Sequence, residues 1–217
     1  MDRSPDRVTR DPEGGPILSA MLRRNPSDPV TPPDPALMWL VETAGAAARA
    51  AKDLRSAIAV VLEQVAVAGG YAAAHAWVPA GGGTWVSSGL WFPDDGIGRG
   101  GLRRACMDAP PGPVRGHLAL ALDREATQWV PDLDALRGTA IYDAAVNVGV
   151  AGAVACPVLA NGVPVALLEW YTATPDEPHA DVAHVLGHLS SVLSEVAERP
   201  TLLPHPRPHD LLSLIRG

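Results

Sequence analysis

Leu37, Leu40, Val41, Ala44, Ala47, Ala48 and Ala51 recur at helical spacing, and Leu54, Ile58, Val61, Leu62 and Val65 carry the pattern on to Gly69-Gly70. Asp34-Pro35 before them reads as an N-cap followed by a residue suited to the first helical position. The pattern predicts either two helices separated near Asp53 or one long helix. Next, YAAAHAWVPAGGGTWVSSGLWF (71–92) holds two strand-like runs around a Gly-rich turn, a hairpin signal. Alternation along the first run puts Tyr71, Ala73, His75 and Trp77 on one face.

Residues 93–126 break the periodicity with Asp94, Asp95, several glycines and Pro110 to Pro113. They predict a long loop with short helical pieces around Leu102 to Met107 and Leu118 to Arg124. TQWVPDL (127–133) predicts a brief strand stopped at Pro131, and DALRGTAIYDAAVNVG (134–149) one helix ended by Gly149. AGAVACPVLANGVPVALLEWYT (151–172) predicts two strands around Asn161-Gly162, the strongest short hairpin signal. Val182, Val185, Leu186, Leu189, Val192, Leu193 and Val196 then mark one face of a closing helix. The order predicts an α+β domain with an antiparallel sheet, helices on one face and the irregular middle on the other.

Composition narrows the function classes. In 217 residues, 47% hydrophobic content suffices for one core, flanked by a Pro/Arg/Asp-rich tail at 1–35 and a Pro-rich tail at 200–217. The net charge is -7 and Lys52 is the only lysine, which argues against a nucleic-acid surface. No stretch reaches the roughly 18 apolar residues of a membrane span, and the start is charged where a secretory signal would be apolar, so the expected location is cytoplasmic. Cys106 and Cys156 lie far apart without CxxC spacing, an expectation of reduced thiols. His184 and His188 sit one turn apart with Asp181 and Glu195 on the same side; the spacing permits a metal site, but a solvent or dimer face is the favoured reading and no metal is assigned.

The order and spacing of TQWVPDL, GVAGAVACPVLANGVPVALLEWYT and the closing helix resemble the GAF domain family, whose bacterial members carry a strand like LEWYT (168–172). The segment DLRSAIAVVLEQVAVAGGYAAAHAWV is similar to the family's opening helix and first strand, and the resemblance spans residues 36–199. GHLAL (116–120) and Ala151-Gly152 depart from the usual family pattern. The resemblance implies a pocket between the sheet and the irregular middle, used in relatives for cyclic nucleotides, haem, bilins or amino acids. The residue sets for cyclic nucleotides and bilins are missing, as is the cysteine pattern of the family's methionine sulfoxide reductases, so no enzyme is expected and the cofactor is unknown.

By the same resemblance, His75, Trp77, Trp91 and Tyr142 are the expected ligand contacts, with Trp77 also a core residue and Trp91 a contact that stability can spare. The expected function is a sensory domain that binds a small molecule and signals to a separate partner protein in trans. The alternatives are a dimerisation module with a self-filled pocket, or a haem or redox sensor using His75. The resemblance further implies a homodimer through the first and last helices, where the Ala-rich run from Ala44 to Ala51 suits close approach. Leu211, Leu212, Leu214 and Ile215 are spaced for one short amphipathic turn, read as a docking element.

Overall fold

The computed structural model describes residues 35–93, 99–174 and 180–199. The Asp34 cap, the Asp94-Asp95 loop and both predicted tails with the docking element lie outside them. The first apolar pattern forms two helices, α1 (Pro35–Ala50) and α2 (Leu54–Gly69). Asp53 separates them as an N-cap, its carboxylate accepting from the Ser56 N–H at 2.7 Å. Gly70, at φ 66°, closes α2 in the left-handed conformation, and Tyr71 N–H returns to Ala66 O at 3.0 Å.

Strands β1 (Ala73–Gly81) and β2 (Thr84–Phe92) form the first hairpin. Helices α3 (Gly100–Met107) and α4 (Gly116–Arg124) follow, then β3 (Gln128–Val130) and a 3-10 turn, Asp134–Leu136. The single helix expected over 134–149 is thus divided. Gly138 takes φ 82°, and Thr139 restarts the chain as N-cap of α5 (Ala140–Asn147), its hydroxyl accepting from Tyr142 N–H. Strands β4 (Gly152–Ala160) and β5 (Val163–Thr172) turn at Asn161-Gly162, where both φ values are positive, and α6 (Ala180–Ala197) closes the domain.

The five strands lie in the order β2-β1-β5-β4-β3, all antiparallel. Period-two alternation divides β5 between the faces: Ala166, Leu168 and Trp170 join the core under α1, α2 and α6, while Leu167 and Tyr171 join a second core under α3, α4 and α5. The Trp170 N–H is satisfied by Leu62 O at 3.2 Å. Gly152 is required where β4 meets β3, because a Cβ there would lie 2.6 Å from Val130 O.

Two expectations change. Tyr71 does not share the face of His75 and Trp77: the chain enters the sheet only at Ala73, and Tyr71 packs on the helix side near Trp170. Ala44, Gly45 and Ala48 are buried within the domain, where they let α1 approach its neighbours α2 and α6 closely. The outer strip of α1 is instead Trp39, Ala46 and Ala50, flanked by exposed Met38, Glu42 and Arg49.

Candidate functional site

Antiparallel register assembles the centre of the second face. His75 on β1 lies opposite Glu169 on β5 and Trp91 on β2, while Ala73 lies opposite Tyr171. Glu169 is 0% exposed, so its carboxylate depends wholly on protein donors. Three reach it. The Trp77 indole N–H donates to Oε2 at 3.0 Å, the Tyr171 hydroxyl to the same oxygen at 2.7 Å, and His117 Nε2, from α4, donates to Oε1 at 2.6 Å. Burial alone would raise the Glu169 carboxyl, but these bonds, His117 foremost, outweigh it and hold the group below its usual range. The Cys106 thiol, from α3, lies 3.5 Å from the Tyr171 oxygen. Burial, with the Glu169 charge added, pushes that thiol well up. One carboxylate therefore joins β1, β5 and α4 directly, and α3 through Tyr171.

Beside this network His75 is fully buried, and burial lowers it to about 4, against a smaller upward pull from Glu169. Its Nε2 is hydrogen-bonded to Ser87 Oγ at 2.8 Å, and Ser87 Oγ also accepts from Gly89 N–H and lies 3.2 Å from Met107 Sδ. Neither His75 Nδ1 nor Trp91 Nε1 has a hydrogen-bond partner among the described residues. The His75 ring stands edge-on to Trp77 at 4.7 Å and 5.7 Å from Trp91, which in turn lies 6.2 Å from Tyr171.

Above Trp77 opens a groove of about 820 Å³ bounded by α3, the Pro-rich segment 108–115, α4, the 3-10 turn and α5. Trp77 and Trp85 are its aromatic surfaces, Ala105, Leu118, Ile141 and Ala144 are apolar lining, and Arg104, Asp108, Arg115 and Asp143 add both signs of charge. Of the four expected contacts, the structure brings His75, Trp77 and Trp91 together, but only Trp77 lines the groove. Trp91 is 8% exposed, packed within the second core. Tyr142 is half-buried on α5 and turned to other partners: its hydroxyl donates to Asp134 at 3.3 Å and Arg137 sits 5.6 Å over its ring.

Glu169 and His117 escaped the sequence reading, although one signal was present. A Glu inside the apolar run VALLEWYT must either face solvent or find buried donors, and the strand's central position favours the second. Cys156 faces the helix layer, with Sγ 3.5 Å from Leu186 O, so the two cysteines occupy opposite sides of the sheet. His184 and His188 are exposed and border a second groove of about 530 Å³ between α1 and α6. Among the described residues, no group of three or more His, Cys, Asp or Glu could hold a metal, and no helix is long and apolar enough to cross a membrane.

No protein-family model matches the chain, and no curated protein matches it. Solved structures do. A free methionine-R-sulfoxide reductase from Neisseria meningitidis, in complex with its substrate, aligns with a TM-score of 0.59 at 15% identity over 77% of this chain and 93% of that one. The GAF domain of a phosphoenolpyruvate-protein phosphotransferase from Coxiella burnetii aligns at 0.55, with 15% identity, over 75% and 96%. A GAF sensor protein from Burkholderia vietnamiensis aligns at 0.55, with 17% identity, over 75% and 93%. With the strand order and the helices on both faces, these likenesses give the chain the fold of a GAF domain.

Proposed function

We propose that this GAF-like domain is a sensor that holds a small molecule in the groove above Trp77 and Trp85 and reports its occupancy to a separate protein. The observation that carries the reading is the groove itself: about 820 Å³, aromatic and apolar in its lining, with a few charged groups. Such a lining favours a flat, neutral or zwitterionic molecule stacked on Trp77. Trp77 donates to Glu169, so a shift of its ring is felt at His117 and Tyr171 through the same carboxylate. His75 supports the ring edge-on with Trp91 packed against His75 in turn, and Tyr142 braces α5 through Asp134 and Arg137. A homodimer through the outer strip of α1, where Trp39 is 65% exposed, carries the signal outward.

The fold is shared with a reductase, and the thiols argue for binding over that chemistry here. A thiolate is the nucleophile in such a step and needs a resolving partner. Burial pushes Cys156 up to about 11 and Cys106 higher, and the sheet separates them. A haem ligated by His75 is unsupported, since that ring is fully buried and lines neither groove. A second reading, a dimerisation module without ligand, is favoured by the way Trp77, Trp91 and Tyr171 fill the sheet face themselves.

Native mass spectrometry of freshly purified full-length protein tests the sensor reading. A retained small molecule that is absent from Ala144→Trp, whose new side chain occupies the groove, supports it. The bare chain mass from both proteins favours the dimerisation reading.

A further inference from the structure

The groove between α1 and α6 is distinct from the ligand groove and lies on the opposite side of the sheet. Leu37, Met38, Val41 and Val185 give it an apolar floor, with Glu42 and Asp181 among its borders. Met38 is 50% exposed there and joins Leu37, Val41 and Val185 in one apolar patch along a cleft of about 530 Å³. We propose that the segment Leu211–Ile215 of the same chain folds back and seats its apolar face in this groove.

Reach, pattern and charge select that occupant. The groove borders α6 between Asp181 and His188, and α6 ends at Ala197. The return path along the helix is therefore only about 20 Å at 1.5 Å per residue. The twelve residues from Pro200 to Leu211 span at most about 40 Å, and Pro200 stops the helix from simply continuing. The spacing of Leu211, Leu212, Leu214 and Ile215 would put all four on one face of a helical turn, a better match to a short apolar floor than an extended strand would give. Arg216 directly follows them and is complementary to Glu42 and Asp181 at the groove, while Asp210 directly precedes them and offers an acceptor to the ring N–H of His184 or His188. A tether this short keeps the segment at high effective concentration, so a weak contact suffices to keep it docked. The seated segment leaves the outer strip of α1 uncovered, and the inference does not depend on what the ligand groove holds.

Methionine oxidation by dilute hydrogen peroxide reads the contact directly, because the rate follows exposure. Met107, 36% exposed on the other side of the domain, is the internal reference. In the full chain carrying Leu211→Asp with Leu214→Asp, Met38 oxidation should rise roughly fivefold while Met107 is unchanged. Val41→Arg, which alters the groove and leaves the segment intact, should release Met38 in the same way. The protection should be independent of protein concentration. Equal Met38 rates in the parent and the double variant overturn the proposal, and protection that fades on dilution replaces the segment with a second copy of the chain.

Discussion

The two sides of the sheet are built from the same five strands and solve different problems. On the helix side Val154, Cys156, Leu168 and Trp170 meet α1, α2 and α6 in an apolar core, and the buried indole N–H of Trp170 is satisfied by the backbone. On the other side a fully buried carboxylate gathers three side-chain donors and a groove remains open above. Each side also leaves two buried polar atoms without a partner among the described residues, Tyr71 Oη and Trp129 Nε1 on the first, His75 Nδ1 and Trp91 Nε1 on the second. The first arrangement maximises burial. The second holds charge where burial alone would exclude it, which is how binding sites differ from cores.

The largest expected effect is on the apolar side. Trp170→Ala should destabilise by about 4 kcal/mol, the cost of deleting a fully packed aromatic side chain, measured by urea unfolding. Its unfolding slope should stay unchanged. Glu169→Leu should cost about 3 kcal/mol, because the buried donors from Trp77, Tyr171 and His117 then lose their acceptor. If this variant is as stable as the parent, the network does not hold the second face together.

Acidification sharpens the contrast next. His75 is lowered to about 4 in the fold and titrates near 6.5 when unfolded, so between those values the unfolded chain binds the extra proton. Its stabilising contribution is full above 6.5 and is lost as pH falls towards 4, by about 3 kcal/mol. The depressed Glu169 carboxyl adds loss in the same direction once pH falls below its ordinary value. His75→Gln should flatten the stability profile between pH 6.5 and 4; a profile as steep as the parent's would remove His75 as its cause.

How much of this was legible beforehand follows the same division. The apolar side announced itself locally: the spacing of α6 from Val182 to Val196, the Asn161-Gly162 turn and the strand LEWYT each lie in one short window. The polar side is made of partners distant in sequence. His117 and Glu169 are 52 residues apart, and Trp77 and Glu169 are 92 apart, so no local pattern joins them. His75 and Trp77 were found by strand alternation, yet alternation extended one step too far to Tyr71, because that residue still belongs to the C-terminal cap of α2, its N–H bonded to Ala66 O, and the strand starts only at Ala73. Tyr142 was placed on a helix correctly, but which way it turns depends on Asp134 and Arg137 across the break at Gly138.

The smallest stability effect should accompany the largest functional one. Ala144→Trp, on the half-exposed wall of the groove, should change stability by less than about 1 kcal/mol while closing the site. Titration with N-phenyl-1-naphthylamine, a neutral and flat fluorescent probe, therefore reads the ligand groove itself. A single saturable site is expected in the parent protein, lost in Ala144→Trp and retained in Val41→Arg, whose change lies in the other groove. Undiminished probe binding in Ala144→Trp, or none in the parent, would contradict this placement of the site.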